Sequence, residues 1–181
     1  MEKPPSCQTG RRLRSLSGSQ ALFRRWSHTN IQNTNIENGK IENNPNAYKK
    51  VAWHLDANHV GGYAFRLCKM PVGGLSELTE ECFQQNHLDF VGDHQWVEFN
   101  EKPDERVELP AVRTREGTFP PNSQWAKSPI EYNGERNSAS HIFDYVEVPV
   151  DLVPGQYVLS FRWDCQATPQ IWNACANINI I

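Results

Sequence analysis

One histidine and one loop near the C-terminus hold the residue types from which metal-dependent chemistry can be built. His59 ends the alternating run Val51-Ala52-Trp53-His54-Leu55-Asp56-Ala57-Asn58 and is followed by Val60-Gly61-Gly62, where glycine lets the backbone turn sharply and leaves the imidazole near a domain rim. Imidazole is the commonest metal ligand in proteins and suits copper well. A lone histidine at a strand end also serves as a hydrogen-bonded surface or core residue. The loop is Cys165-Gln166-Ala167-Thr168-Pro169-Gln170-Ile171-Trp172-Asn173-Ala174-Cys175, entered from one strand and left by another. A bridge between its cysteines would tie the loop and hold Gln170 and Trp172, two residues apart, on one face. An aromatic beside an amide is equally what a packed core contains.

The chain has five cysteines, and four fall into two short-range sets: Cys68 with Cys82, and Cys165 with Cys175, leaving Cys7 alone. Two local disulfides are expected, because neither set has the C-x-x-C spacing of a zinc site or an accompanying histidine cluster. A Cys68–Cys82 bridge closes a 15-residue loop, worth about 3 kcal/mol in the chain-entropy model. Disulfides imply an oxidising compartment. His87, His94 and His141 have acidic or aromatic neighbours without ligand spacing and read as surface histidines. Trp96 and Trp125, in or beside long loops, either stack on sugar rings or pack under their own loops. No Ser/His/Asp grouping, phosphate loop or paired carboxylates stand out.

The elements that must position these residues read as strands. Val51, Trp53 and Leu55 share one face of a period-two run, as do Tyr63, Phe65 and Leu67 after the Gly61-Gly62 break. Residues 70–90 read as a loop with one helical turn. Residues 101–140, with Pro103, Pro110, Pro120 and Pro121, read as a long irregular stretch. Val146, Val148 and Val150 alternate inward on a strand that Pro149 places at an edge. Gln156 to Asp164 puts Tyr157, Leu159, Phe161 and Trp163 on one face and Val158, Ser160 and Arg162 on the other, the latter a solvated face. A short strand over Ala176–Ile181 follows. Short strands, no amphipathic helix and long Pro/Gly loops give an all-β chain built as a β-sandwich.

Of 181 residues, 38% are hydrophobic and 22% charged, which fits a single domain. The net charge of -3 gives no global reason to expect a nucleic acid or an anionic membrane surface as partner. Residues 1–30 alone carry +5 and the other 151 residues -8. Residues 1–47 therefore read as a disordered basic and Asn-rich head, with a transit peptide or a misassigned first exon as further readings, and residues 48–181 as the domain. No apolar run reaches the ~18 residues of a membrane span, and no export signal is visible in the head.

Taken together and in this order, the two clusters resemble a known family. Asn58-His59-Val60-Gly61-Gly62-Tyr63-Ala64-Phe65-Arg66-Leu67-Cys68 resembles the second-histidine motif of lytic polysaccharide monooxygenases, and Gln170-Ile171-Trp172-Asn173-Ala174-Cys175 resembles their C-terminal motif. The strand from Gly155 to Trp163 is similar to the family's penultimate strand. The texture is that of the type grouped with chitin-binding type-4 domains in algae, invertebrates and oomycetes, over residues 48 to 181. The resemblance implies an immunoglobulin-like β-sandwich with one copper ion in a histidine brace, His59 supplying the second imidazole and an N-terminal histidine the rest. It implies that Trp172 shields the axial position without offering an oxygen ligand, and that Gln170 is the amide that positions oxygen species. The implied reaction is oxidative cleavage of chitin, cellulose or a related insoluble polysaccharide with an external electron donor, by an extracellular monomer. The chain departs from the pattern in beginning Met1-Glu2-Lys3, and His28 stands too close to His59 for the first strands. The expectation is therefore a domain lacking its N-terminal part and its first brace histidine, impaired as written. The alternative is a non-catalytic carbohydrate-binding or cell-wall sandwich.

Overall fold

The computed structural model describes residues 40–41, 48–55, 58–99, 102–129 and 140–181. The basic head, with Cys7 and His28, lies outside them. Within them the chain forms two sheets facing each other across one apolar core, the expected all-β sandwich. The larger sheet runs in the order β1 (Lys40–Ile41), β11 (Ile171–Ile180), β10 (Gly155–Asp164), β3 (Gly62–Lys69), β8 (Trp125–Lys127) and β7 (Arg113–Thr114), with β4 (His87–Leu88) also paired to β3. The smaller sheet runs β2 (Tyr48–Leu55), β9 (Ser140–Glu147), β5 (His94–Phe99), β6 (Lys102–Pro110). Pairings are antiparallel except β1 with β11. Among the described residues no helix is long and apolar enough to cross a membrane.

Period-two alternation explains the core. Val51, Trp53 and Leu55 point inward from β2, and Tyr63, Phe65, Leu67, Tyr157, Leu159 and Trp163 meet them from the larger sheet. Full burial of one such side chain contributes about 1.5–3 kcal/mol. Trp53 is the hub, its ring centroid 4.9 Å from Tyr63, 5.0 Å from Phe161 and 5.4 Å from Trp163. A polar tie crosses this core. The Tyr63 hydroxyl donates to Asp144 Oδ2 at 2.7 Å, and Arg113 donates to Asp144 Oδ1 at 2.7 Å while its guanidinium lies 4.2 Å over the Phe90 ring. Burial pushes the Asp144 carboxyl up, and Arg113 and the Tyr63 hydrogen bond hold it down.

The outer face of the larger sheet is also covered, by a second apolar cluster of Cys68, Leu78, Phe83 and Val158. Its lid is the helix α1 (Glu80–Gln85), capped by the Thr79 side chain, which accepts from the Cys82 N–H, with Glu80 and Glu81 in its positively poled first turn. The expected Cys68–Cys82 disulfide fastens α1 to β3, its Cα atoms 5.7 Å apart.

Several expectations are corrected. The Cys165–Cys175 bridge is not formed: Cys165 is a free thiol, and the disulfide that Cys175 makes is not to it. The β10–β11 register explains this. Cys165 N–H bonds Gln170 O, while Cys175 pairs with Ser160, five residues further along, or about 17 Å at strand rise. The two sulfurs also belong to opposite faces, Cys165 packing on the inner core and Cys175 on the outer cluster. The stretch 102–129 is not irregular but holds β6, β7 and β8. Strand β9 lies between β2 and β5 and ends before Pro149, so it is not an edge, and Val150 is exposed where Val146 and Val148 are buried. The last strand begins at Ile171 rather than Ala176, and Lys40–Ile41, inside the region read as head, pair with Asn179 and Ile180.

Candidate functional site

The chain passes from β2 to β3, and so from one sheet to the other, through the turn that carries His59. The Asn58 carboxamide oxygen accepts from Val60 N–H at 2.8 Å, the local turn chemistry of asparagine, and from the Ser128 hydroxyl at 3.2 Å. Val60 is held at φ 49°, a conformation costly for a β-branched residue. Gly61, at φ 96°, has no alternative: a Cβ there would lie 2.1 Å from Asp164 O.

That close approach seats the turn against the β10–β11 hairpin. His59 O accepts from Gln166 N–H at 3.2 Å and Ala167 N–H at 2.9 Å, and the Trp163 indole N–H donates to Val60 O at 2.9 Å. The His59 imidazole lies beside the Trp163 ring, centroids 5.8 Å apart. Trp163 is itself the register partner of Trp172 on β11 and of Tyr63 on β3. The two clusters singled out in the sequence thus meet at one end of the larger sheet, with Trp163 between His59 and the strand that bears Trp172.

The hairpin is held by its ladder rather than by a disulfide. Gln170 precedes β11 rather than sharing its face with Trp172: its carboxamide folds over its own turn and accepts from the Thr168 hydroxyl at 3.1 Å. Trp172 is half-buried and packs against the core. Burial raises the Cys165 thiol pKa, against side-chain contacts from Trp172 and Thr168 that lower it. Among the described residues, the donors at this end are the His59 imidazole and the half-buried Cys165 thiol. Among the described residues no three His, Cys, Asp or Glu side chains converge closely enough to hold a metal ion.

The remaining predicted residues fall elsewhere. Trp125 is buried beneath its own loop and its indole N–H donates to Ser123 Oγ at 3.0 Å, so it does not present a sugar platform. Trp96 packs edge-on against Tyr145 at 5.4 Å on the outer face of the smaller sheet. His94 is a surface histidine, 2.7 Å from Asp93. His87 is not: burial first, then the charges of Arg66 and Arg162, lower its pKa from 6.5 to about 4.

Sequence reasoning missed an array of charged groups on the outer face of the larger sheet. Arg66, 2% exposed, donates to Glu80 Oε1 at 2.6 Å, to Ser160 Oγ at 2.9 Å and to Asn173 Oδ1 at 3.4 Å. Arg162 shares the same Glu80 oxygen at 3.0 Å and grips Asp164 at 2.6 and 2.9 Å. Arg162 therefore belongs to an ion-pair array under α1 and not to a solvated face. The available signal was Arg66 in the middle of the otherwise apolar Tyr63-Ala64-Phe65-Arg66-Leu67-Cys68, where a charge demands a partner.

No protein-family model matches the chain, and no curated protein matches it. Among solved structures it is similar to AggA, the major subunit of aggregative adherence fimbriae type I from Escherichia coli, at 8% identity over 78% of this chain and 86% of that one. The TM-score of that match is 0.21.

Proposed function

We propose that this chain is a secreted, polysaccharide-active β-sandwich of the lytic polysaccharide monooxygenase type, with His59 as one imidazole arm of a copper site. The supporting observation is the seam itself: a histidine turn and a C-terminal aromatic hairpin, about a hundred residues apart, are joined at one end of one sheet, main chain to main chain at His59 O and indole to main chain at Val60 O. The Cys68–Cys82 disulfide supports an oxidising compartment.

The described residues fit copper as one arm of a site, supplying one imidazole beside the Trp163 indole, and the remaining nitrogen donors of a brace would come from outside them. Copper, when bound, would supply the one-electron chemistry that activates O₂ or H₂O₂ against a glycosidic C–H bond, with an external reductant. In this reading the His59 turn fixes where the imidazole stands. Trp172 offers bulk and no ligand oxygen, and Gln170 offers an amide at the hairpin rim. The partners are an insoluble glycan such as chitin or cellulose and an electron donor, and the protein acts as a monomer.

The test uses the chain as its source processes it, loaded with copper and given ascorbate and chitin or cellulose. Oxidised oligosaccharides are expected by mass spectrometry, and His59→Ala should abolish them without lowering the melting temperature. Absence of tight copper binding and of oxidised products overturns the proposal. A second reading, a non-catalytic carbohydrate-binding sandwich, is favoured by the lone imidazole at the seam. It predicts sedimentation with insoluble glycan that neither copper nor His59→Ala changes.

A further inference from the structure

On the outer face of the smaller sheet, away from the inward row of Val51, Trp53 and Leu55, two histidines stand directly opposite each other. His54 on β2 pairs in register with His141 on β9, and His141 pairs in turn with Glu98 on β5. The three therefore form one row across three adjacent strands, one residue in from the strand ends at Leu55 and Ser140. The two imidazole centroids are 4.6 Å apart with the rings inclined at 52°.

The geometry points to a cross-strand metal chelate: His54 and His141 together ligate a divalent ion of the zinc, nickel or copper(II) class, with Glu98 flanking it. Directly opposed residues of an antiparallel pair have Cβ atoms about 4.5–5.5 Å apart, close enough for two imidazoles to turn one nitrogen each toward a common point. Zinc–nitrogen bonds of about 2.0–2.1 Å in tetrahedral array need the two nitrogens roughly 3.4 Å apart. The observed ring spacing and inclination allow that with side-chain rotation alone, because the strands already fix the register. Borderline ions of this class prefer imidazole. Glu98 stands on the same row through its register with His141, while its Oε2 accepts from Arg106 on the far strand β6 at 3.1 Å. Two imidazoles fill two positions of a four-coordinate ion, and solvent would complete the coordination sphere. Such a site is open and exchangeable, unlike a buried structural zinc. It is separate from the seam that carries His59 and does not depend on the proposed copper site.

Zinc is the probe, because it is redox-silent. Titrated into the full chain and followed by calorimetry, one ion should bind, and the ring resonances of both His54 and His141 should shift. His141→Asn and His54→Asn should each weaken binding by no less than the loss of a mere outer-shell partner, about tenfold to a hundredfold. The zinc-induced shifts of the His54 and His141 rings should persist in His59→Ala. The inference is overturned if wild-type chain shows no shift of these two rings with zinc, a readout that needs no variant to fold. It is equally overturned if either asparagine variant, melting as the wild type does, retains full affinity, or if the loss follows His59→Ala instead.

Discussion

The two sheets meet their surroundings in opposite ways. The outer face of the larger sheet is roofed by α1, fastened by Cys68–Cys82, and holds Arg66 at 2% exposure in shared contact with Glu80. The outer face of the smaller sheet has no roof among the described residues. Its charges are handled strand to strand, Arg106 and Lys50 lying 4.3 and 4.5 Å over the Phe143 ring and Arg106 pairing with Glu98 at 3.1 Å. The same residue type, arginine, is thus a buried structural group on one face and a half-solvated cover on the other. A charge removed from water must be matched by a partner, whereas one left at the surface is screened.

The largest test of this contrast is Arg66→Ala. It strips Glu80 of its shorter ion pair, orphans Ser160 and leaves a void beside Phe83, so unfolding in urea at neutral pH should show a loss of about 3 kcal/mol. His87, beside Arg66 in the β3–β4 register, gives a pH readout of the same roofed face. Its folded pKa lies below that of the unfolded chain, so the folded state gains from neutral His87 at all pH above about 6.5. That gain is lost as pH falls from there through about 4. A melting-temperature profile should fall across that window, and His87→Gln should flatten it; an unchanged profile would show that the roof does not exclude solvent from this imidazole. Smallest is Arg106→Ala on the open face, expected to cost under about 1 kcal/mol. Equal losses for Arg66→Ala and Arg106→Ala would erase the distinction between the faces.

What the residues disclosed in advance follows the same division. Strands with one apolar row, such as Val51-Trp53-Leu55 and Tyr157-Leu159-Phe161-Trp163, announce themselves by period two. β6 does not, because Asp104, Glu105, Arg106 and Glu108 all face water on a strand at the sheet's edge, and only Val107 and Leu109 keep the inward rhythm. Charge there discourages a further strand from pairing, at the expense of the pattern that reveals the strand. The cysteines teach a second point. Cys68 and Cys82 are joined because a helix folds back over the strand, while Cys165 and Cys175, closer in sequence, lie on opposite faces of one hairpin. Spacing alone contains no parity. The meeting of His59 with the hairpin was legible only as a resemblance of two motifs; two of the bonds that bring them together are made by backbone atoms alone, and residue type marks the joint only at Gly61 and at Trp163, whose indole donates the third.

The His59 turn is welded to the hairpin through His59 O and Val60 O, while Gly61 lies so close to Asp164 O that a single methyl group would wedge the joint open. The imidazole hangs from this weld without forming part of it. Side chains at position 59 can therefore be exchanged like tool bits in a fixed chuck, whereas Gly61→Ala would spoil alignment while leaving every side chain of the proposed site chemically unchanged.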